Sequence, residues 1–339
     1  MKKVLITGGA GFIGHHVIEH FLYNTDCEIV VVDRLDFSGN LNRLNEIIEK
    51  QPHNKNRLKF VFHDLKAEIN PLVSNFIGKC DTILHLAAGS HVDRSITHPM
   101  EFIQDNIIGT AHLLEYARKL DHLEKFLYFS TDEIFGAAPI GVAYKERDRY
   151  NSTNPYSASK AAAEELCVAY ENTYKIPMKI THTMNVFGER QTPEKFIPLC
   201  IRKIRNGEIV TIHSDETKTL AGSRFYIHAN DVADALLFII KNDLKTEPDY
   251  GGAKCSKFNI VGKEEIDNLT LAKMIAKAQN KELIYEMFDF HSLRPGHDMR
   301  YALSGELLKS LGWQPRISLS DRIQQVTDWY LDNPAWINL

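Results

Sequence analysis

Tyr156 and Lys160 stand four residues apart in the segment Asn154-Pro155-Tyr156-Ser157-Ala158-Ser159-Lys160. Pro155 suits the first turn of a helix. The i, i+4 spacing then puts both side chains on one helix face. A phenol with a pKa of about 10 is a poor base at neutral pH. A nearby ammonium stabilises the phenolate and lowers that value. Tyr156 could then take a proton from a hydroxyl while hydride leaves the same carbon. Upstream lies Ser130-Thr131-Asp132-Glu133, at the end of a short apolar run. Thr131 could hydrogen-bond the same hydroxyl. Asp132 and Glu133 could divide acid and base roles if their surroundings push their pKa values apart. Acidic pairs at helix starts are common, and so are Tyr/Lys pairs on helix surfaces. The two sets gain meaning from each other and from a third motif.

That motif is Gly8-Gly9-Ala10-Gly11-Phe12-Ile13-Gly14. Glycines at 8, 11 and 14 allow a tight turn and a close backbone approach to a pyrophosphate. Phe12 and Ile13 then open a helix whose N-terminus offers unpaired N–H groups. Asp33 ends the next apolar run, roughly 20 residues on, where an acidic residue holds the adenosine ribose. A carboxylate there repels a 2′-phosphate, so NAD is expected rather than NADP. Asp64 and Leu65 follow the third apolar run, where adenine would lie. Leu86, Ala87 and Ala88 end the fourth, and their small size lets a cofactor approach.

These motifs require strands that deliver them to one edge. Candidate strands are 3–7, 28–33, 59–62, 82–86, 125–130 and 178–184, with helical patterns at 12–23, 40–50, 99–119 and 156–175. Near-continuous apolar strands separated by helices imply a parallel sheet covered on both faces. The expected fold is α/β, a Rossmann-type doubly wound parallel sheet with a smaller α/β substrate-binding lobe. Residues 1–188 would form the NAD-binding domain, with 225–241 crossing back. Residues 189–339 would form the substrate lobe. Within it the pattern predicts helices at 193–206, 269–279, 304–311 and 319–332, and strands at 209–213, 224–228 and 257–261. Asn230 or Asp231 is expected to cap the helix that ends near Lys241.

Composition narrows the class. Net charge is −4 over 339 residues, which argues against a general nucleic-acid binder. The run Ala235 to Ile240 is too short to span a bilayer, and the N-terminal MKKVLITGG leaves no room for a signal-peptide core. Five scattered cysteines read as buried reduced thiols in a cytoplasmic protein. No H-E-x-x-H pattern appears among the histidines, and no metal is expected.

The motifs GGAGFIG, HLAAGSHVDRS, STDEIFG, YSASKAAAE, PEKFIP, RPGHDMRYAL and WYLDNPAW resemble the extended short-chain dehydrogenase/reductase superfamily. Within it the chain looks like the nucleotide-sugar 4,6-dehydratases, over essentially its whole length. The resemblance implies NAD and a dTDP-glucose or UDP-glucose substrate. It implies that Tyr156, with Thr131 and Lys160, oxidises C4. Glu133 would take the C5 proton, and Asp132 would protonate the departing C6 hydroxyl. Ser90, Arg94 and Asn185 would line the sugar or cofactor pocket. Lys195, Arg224, Asn259, Arg294 and His297 would hold the nucleotide diphosphate. Guanidinium forks at Arg224 and Arg294 suit phosphate oxygens. A homodimer through a four-helix bundle of helices 99–119 and 156–175 would follow. In related epimerases and decarboxylases the Asp is usually absent. A UDP-sugar 4-epimerase, a UDP-glucuronate decarboxylase and a non-catalytic NAD-binding protein are the competing readings. Gly89, His182, Met184 and the 215–223 loop depart from common family patterns. The choice of base stays open, since one methyl group is worth only ~1–3 kcal/mol.

Overall fold

The computed structural model of the chain describes residues 1–246, 255–289 and 299–338. Its first half contains β1 (Lys3–Thr7), α1 (Phe12–Asn24), β2 (Glu28–Asp33), α2 (Leu41–Lys50), β3 (Leu58–Phe62), α3 (Pro71–Ile77), β4 (Thr82–His85), α4 (Val92–Thr97), α5 (Pro99–Phe102), α6 (Gly109–Ala117), β5 (Lys125–Thr131), α7 (Pro155–Tyr174) and β6 (Met178–Thr183). The second half adds β7 (Asn185–Phe187), α8 (Phe196–Asn206), β8 (Val210–Ser214), β9 (Ser223–His228), α9 (Ala229–Lys241), β10 (Ser256–Ile260), β11 (Glu265–Asp267), α10 (Asn268–Ala278), β12 (Tyr285–Asp289), α11 (Glu306–Ser310) and α12 (Leu319–Asp332).

Seven strands form one sheet in the order β10-β6-β5-β4-β1-β2-β3, and every pair in it is parallel. This is the Rossmann-type doubly wound sheet. Alternation along the strands feeds two cores. Ile29 and Val31 pack toward α1 and α9. Val30 and Val32 pack toward α6 and α7. The chain leaves β1 outward to β3 and then crosses back to β4, so a crevice opens at the carboxyl ends of β1 and β4. β10 lies beyond residue 188, so the sheet draws on both halves of the chain.

A third core joins α8, α10, α12 and β8. Beside it run the three-stranded sheet β11-β9-β7 and the parallel pair β12-β8. The strands β7 and β11 are three residues long, too short to show a period in the sequence. The cap of α9 also differs from expectation. His228, not Asn230 or Asp231, accepts the Asn230 N–H. The predicted 99–119 helix is α5 and α6 joined by a π-helical stretch at Ile103–Ile108. Such widened turns recur at functional sites, and this one carries Asp105 and Asn106.

Candidate active site

The glycine turn packs as closely as its spacing implies. A Cβ on Gly14 would sit 2.2 Å from the Gly8 carbonyl oxygen, and one on Gly8 would sit 2.7 Å from the Ala87 nitrogen. Gly8 also has φ +71, open to glycine at little cost. Gly11 precedes α1 without a side-chain cap, so the first N–H groups of the helix face the cleft. Asp33 accepts the Ala10 N–H at 3.0 Å and the Leu35 N–H at 2.8 Å. Burial raises its carboxyl, against the pull of those two amides. Its remaining lone pairs suit ribose hydroxyls. Gly8, Gly11, Phe12, Ile13, Gly14, Asp33, Asp64, Leu65, Leu86, Ala87 and Ala88 all border one cleft.

Thr131, Asp132, Glu133, Tyr156 and Lys160 border the same cleft. Asn154 caps α7 through the Ser157 N–H and completes a capping box. Pro155 takes the first position, and Tyr156 and Lys160 project from successive turns. The Tyr156 phenol is buried beside Thr131 and Glu133. Burial and the Glu133 carboxylate push its pKa well above the ordinary value. This reverses the lowering expected from the lysine. The Lys160 ammonium donates instead to the Phe129 carbonyl at 2.7 Å and lies over the Tyr128 ring at 4.3 Å. Burial lowers Lys160 to about 8.

Asp132 is 4% exposed. The Thr131 hydroxyl donates to its Oδ1 at 3.1 Å. Its Oδ2 is buried with no hydrogen-bond partner among the described residues. Burial raises Asp132 to about 6. Burial and the neighbouring Asp132 raise Glu133 to about 7. The Asn154 amide donates to Glu133 Oε2 at 3.4 Å. Both carboxyls therefore titrate near neutrality, which is where acid–base catalysis works best.

Ser90, Arg94, Asn185 and Lys195 border the same cleft. Arg94 lies over the Phe37 ring at 3.6 Å, across the cleft mouth. Arg224 is turned aside. Its Nη1 donates to the Ser223 and Met299 carbonyls, both at 2.7 Å, and its guanidinium stacks on Tyr301. Its charge still lowers Asp132 and Glu133. Asn259 does not face the cleft and corrects the expectation. It is fully buried. Its Nδ2 donates to the Tyr144 and Ser304 carbonyls, and its Oδ1 pairs with His182 Nδ1 at 2.9 Å. These bonds fill its amide, so it staples β10 to the segments at 144 and 304. Arg294 and His297 lie outside the described residues. His16 and His20, one turn apart on α1, face Glu189 and Asp234. No group of three metal-ligating side chains forms among the described residues.

The sequence model of the GDP-mannose 4,6 dehydratase family matches residues 5–326. The chain belongs to this family.

Among relatives in and around the GDP-mannose 4,6 dehydratase family, dTDP-glucose 4,6-dehydratase of Salmonella typhimurium is 36% identical over 361 residues. That match covers 99% of this chain and 94% of the relative. A trifunctional Arabidopsis thaliana protein with UDP-glucose 4,6-dehydratase activity in its name is 35% identical over 340 residues. It matches 99% of this chain but only 48% of that longer protein. The crystal structure of DesIV, a dTDP-glucose 4,6-dehydratase from Streptomyces venezuelae with NAD and TYD bound, superposes with a TM-score of 0.84 at 30% identity. It covers 98% of both chains.

Two residues of this family member escaped the sequence reading. Asn106 accepts the Gly89 N–H at 2.8 Å and donates to the Gly89 carbonyl and to Ser159 Oγ. It ties the cleft floor to α7. A polar residue in a mostly apolar stretch was its only signal. Glu164 lies one turn beyond Lys160 and is fully buried. Burial alone would raise it, but His182, Lys257 and Tyr150 hold it far below the usual carboxylate range. Its signal was the i, i+4 step from Lys160. Gly89 also finds its reason here. A Cβ there would press on Phe102 at 3.2 Å.

Proposed function

We propose that this chain removes water from a nucleotide-linked hexose, dTDP-glucose or UDP-glucose, to give the 4-keto-6-deoxy sugar. The reading rests on the buried Asp132 and half-buried Glu133 set beside Thr131 and Tyr156. The glycine turn, the uncapped α1 N-terminus and Asp33 fit a bound NAD. When bound, NAD supplies reversible hydride storage between C4 and C6, so the reaction has no net redox change.

Tyr156 takes the C4 hydroxyl proton, with Thr131 orienting the phenol. Lys160 lies one turn away, its ammonium held by the Phe129 carbonyl and over the Tyr128 ring, and it fixes this turn of α7 against β5. The C4 ketone acidifies the C5 proton, which Glu133 removes. Asp132 protonates the C6 hydroxyl, which leaves as water. This sequence needs one carboxylate and one carboxylic acid together. Burial raises both carboxyls toward neutrality, so the pair can share one proton near neutral pH. An epimerase has no departing hydroxyl and would not use the Asp132 proton.

Ser90, Arg94, Asn185 and Lys195 are assigned to the sugar and diphosphate end. Arg224 is assigned there too, through its charge. Residues 1–188 are assigned to the NAD lobe together with 225–241 and with β10, which joins the same sheet, and the remainder of the second half to the sugar lobe. Burial of all five cysteines as free thiols supports a cytoplasmic setting. No described helix is long and apolar enough to cross a membrane. A homodimer through α5, α6 and α7 is supported by the exposed Met100 on α5 and the exposed Ile103 and Ile108 on the π-helical stretch that joins α5 to α6. A monomeric mass in solution would contradict it.

The deciding experiment incubates purified protein with dTDP-glucose and UDP-glucose side by side. Product mass is then read: loss of water supports this reading. Unchanged mass with an inverted C4 would mean epimerisation, and loss of carbon dioxide from a glucuronate substrate would mean decarboxylation.

A further inference from the structure

Arg34 follows Asp33 directly, at the end of β2 where the adenosine ribose is expected to lie. An arginine near this point is the residue type that accommodates a 2′-phosphate. Asp33 alone therefore leaves the cofactor choice unfinished, because a cation stands beside it. The structure shows what happens to that cation. Asp105, from the π-helical stretch between α5 and α6, takes the Arg34 fork with two bonds, 2.6 Å to Nη1 and 2.7 Å to Nη2. Asp36 bonds Nη2, and Asp64 reaches Nη1 at 3.4 Å. Lys66 is the other nearby cation. It stands 3.6 Å from Asp64 and 3.8 Å from Asp105. All of these residues border the adenosine end of the cleft. Four carboxylates, counting Asp33, thus surround two cations.

We infer that Asp105 is a specificity-determining residue, which holds Arg34 in a bidentate ion pair and so denies its guanidinium to a 2′-phosphate. This rests on the reading of the cleft as a dinucleotide site. Asp105 is well placed for the role. Its side chain is 12% exposed and that of Arg34 is 25% exposed, so salt and water screen the pair less than a surface bridge. The fork geometry matches a carboxylate as well as it matches a phosphate. A phosphate must displace Asp105 to gain Arg34. The widened turn matters because it alters where the residues of this helix project. Asp105 Oδ2 also lies 3.4 Å from where a Gly89 Cβ would be. A larger residue at 89 would crowd the carboxylate that holds Arg34.

The test uses the full chain exchanged with equimolar NAD+ and NADP+, followed by release and quantification of the retained nucleotides. Wild type is expected to retain NAD+. Asp33→Ser alone is expected to raise the NADP+ share only slightly, because Arg34 remains held. Adding Asp105→Asn should raise the NADP+/NAD+ ratio by roughly tenfold or more beyond the single variant, the scale of a charged hydrogen bond regained. Arg34→Leu in the double variant should remove that gain. Equal ratios for the single and double variants, with NAD+ still retained, would overturn the inference. A second arm avoids any folding defect from Asp105→Asn. In the Asp33→Ser background, Arg34→Leu should leave the NADP+ share unchanged. A fall in that share would show Arg34 already free to bind phosphate and would also overturn it. If wild type retains neither nucleotide, the dinucleotide reading itself fails and this inference falls with it.

Discussion

Two groups of acids lie buried near the same helix, α7, and their fates are opposite. Asp132 and Glu133 follow β5 with few partners, and burial raises both toward neutrality. Glu164 is buried more completely, yet it stays ionised. His182 Nε2 lies 3.1 Å from its Oε1 and Lys257 Nζ 2.9 Å, and Tyr150 also donates to it. Desolvation acts on all three carboxyls. Facing cations decide the sign. The compensated acid fixes α7 against β6 and β10, while the uncompensated pair keeps protons to exchange.

The largest expected effect tests the uncompensated side. Glu133→Gln should lower dehydration roughly 10²–10⁴-fold, the usual scale for losing a general base. Its melting temperature should stay equal or rise, because a strained buried acid is gone. A variant with full turnover would end the proposed role. On the compensated side, Glu164→Leu should cost about 3–5 kcal/mol in urea unfolding, since Lys257 is left buried without its partner. A loss under about 1 kcal/mol would mean that the two regions do not differ as described.

The pH dependence should separate them by sign. The folded-state values of Asp132 and Glu133 lie above their ordinary ones. Their penalty is therefore absent below about pH 4 and grows as pH rises through about 6 to 7. The Asp132→Asn/Glu133→Gln protein should gain roughly 3–6 kcal/mol on wild type between pH 4 and 8. Glu164 is shifted downward. Its contribution is complete above its ordinary value near about 4 and is lost as pH falls below it. The gap between wild type and Glu164→Leu should then narrow in acid. Parallel slopes for the two variants would contradict the comparison. The smallest effect concerns Asn154, which caps α7 and touches Glu133. Asn154→Ala should cost about 1 kcal/mol of stability, measured by denaturant midpoint.

That the expected cofactor residues border one cleft could be read from the sequence because their spacing is local. Gly8, Gly11, Gly14 and Asp33 act within one strand–turn–helix unit and the strand beside it. Tyr156, Lys160 and the Thr131-Asp132-Glu133 run border that cleft too, each set by a short local motif. Asn259 misled because a polar residue on a buried strand gives no sign of whether it faces a ligand or its own fold. Arg34 was passed over because its meaning depends on Asp105, 71 residues away. The lowering expected for Tyr156 failed because the sequence shows that a lysine is one turn away but not that Phe129 takes its ammonium.

By itself, the order of residues determined the strand and helix periods, the tight glycine turn and the set of side chains brought to one sheet edge. These follow from backbone sterics and from spacings of a few residues. Only the tertiary structure decided which buried charges meet a counter-charge. Electrostatic energy depends on distance and on exclusion of water, and both are set by segments far apart in the chain.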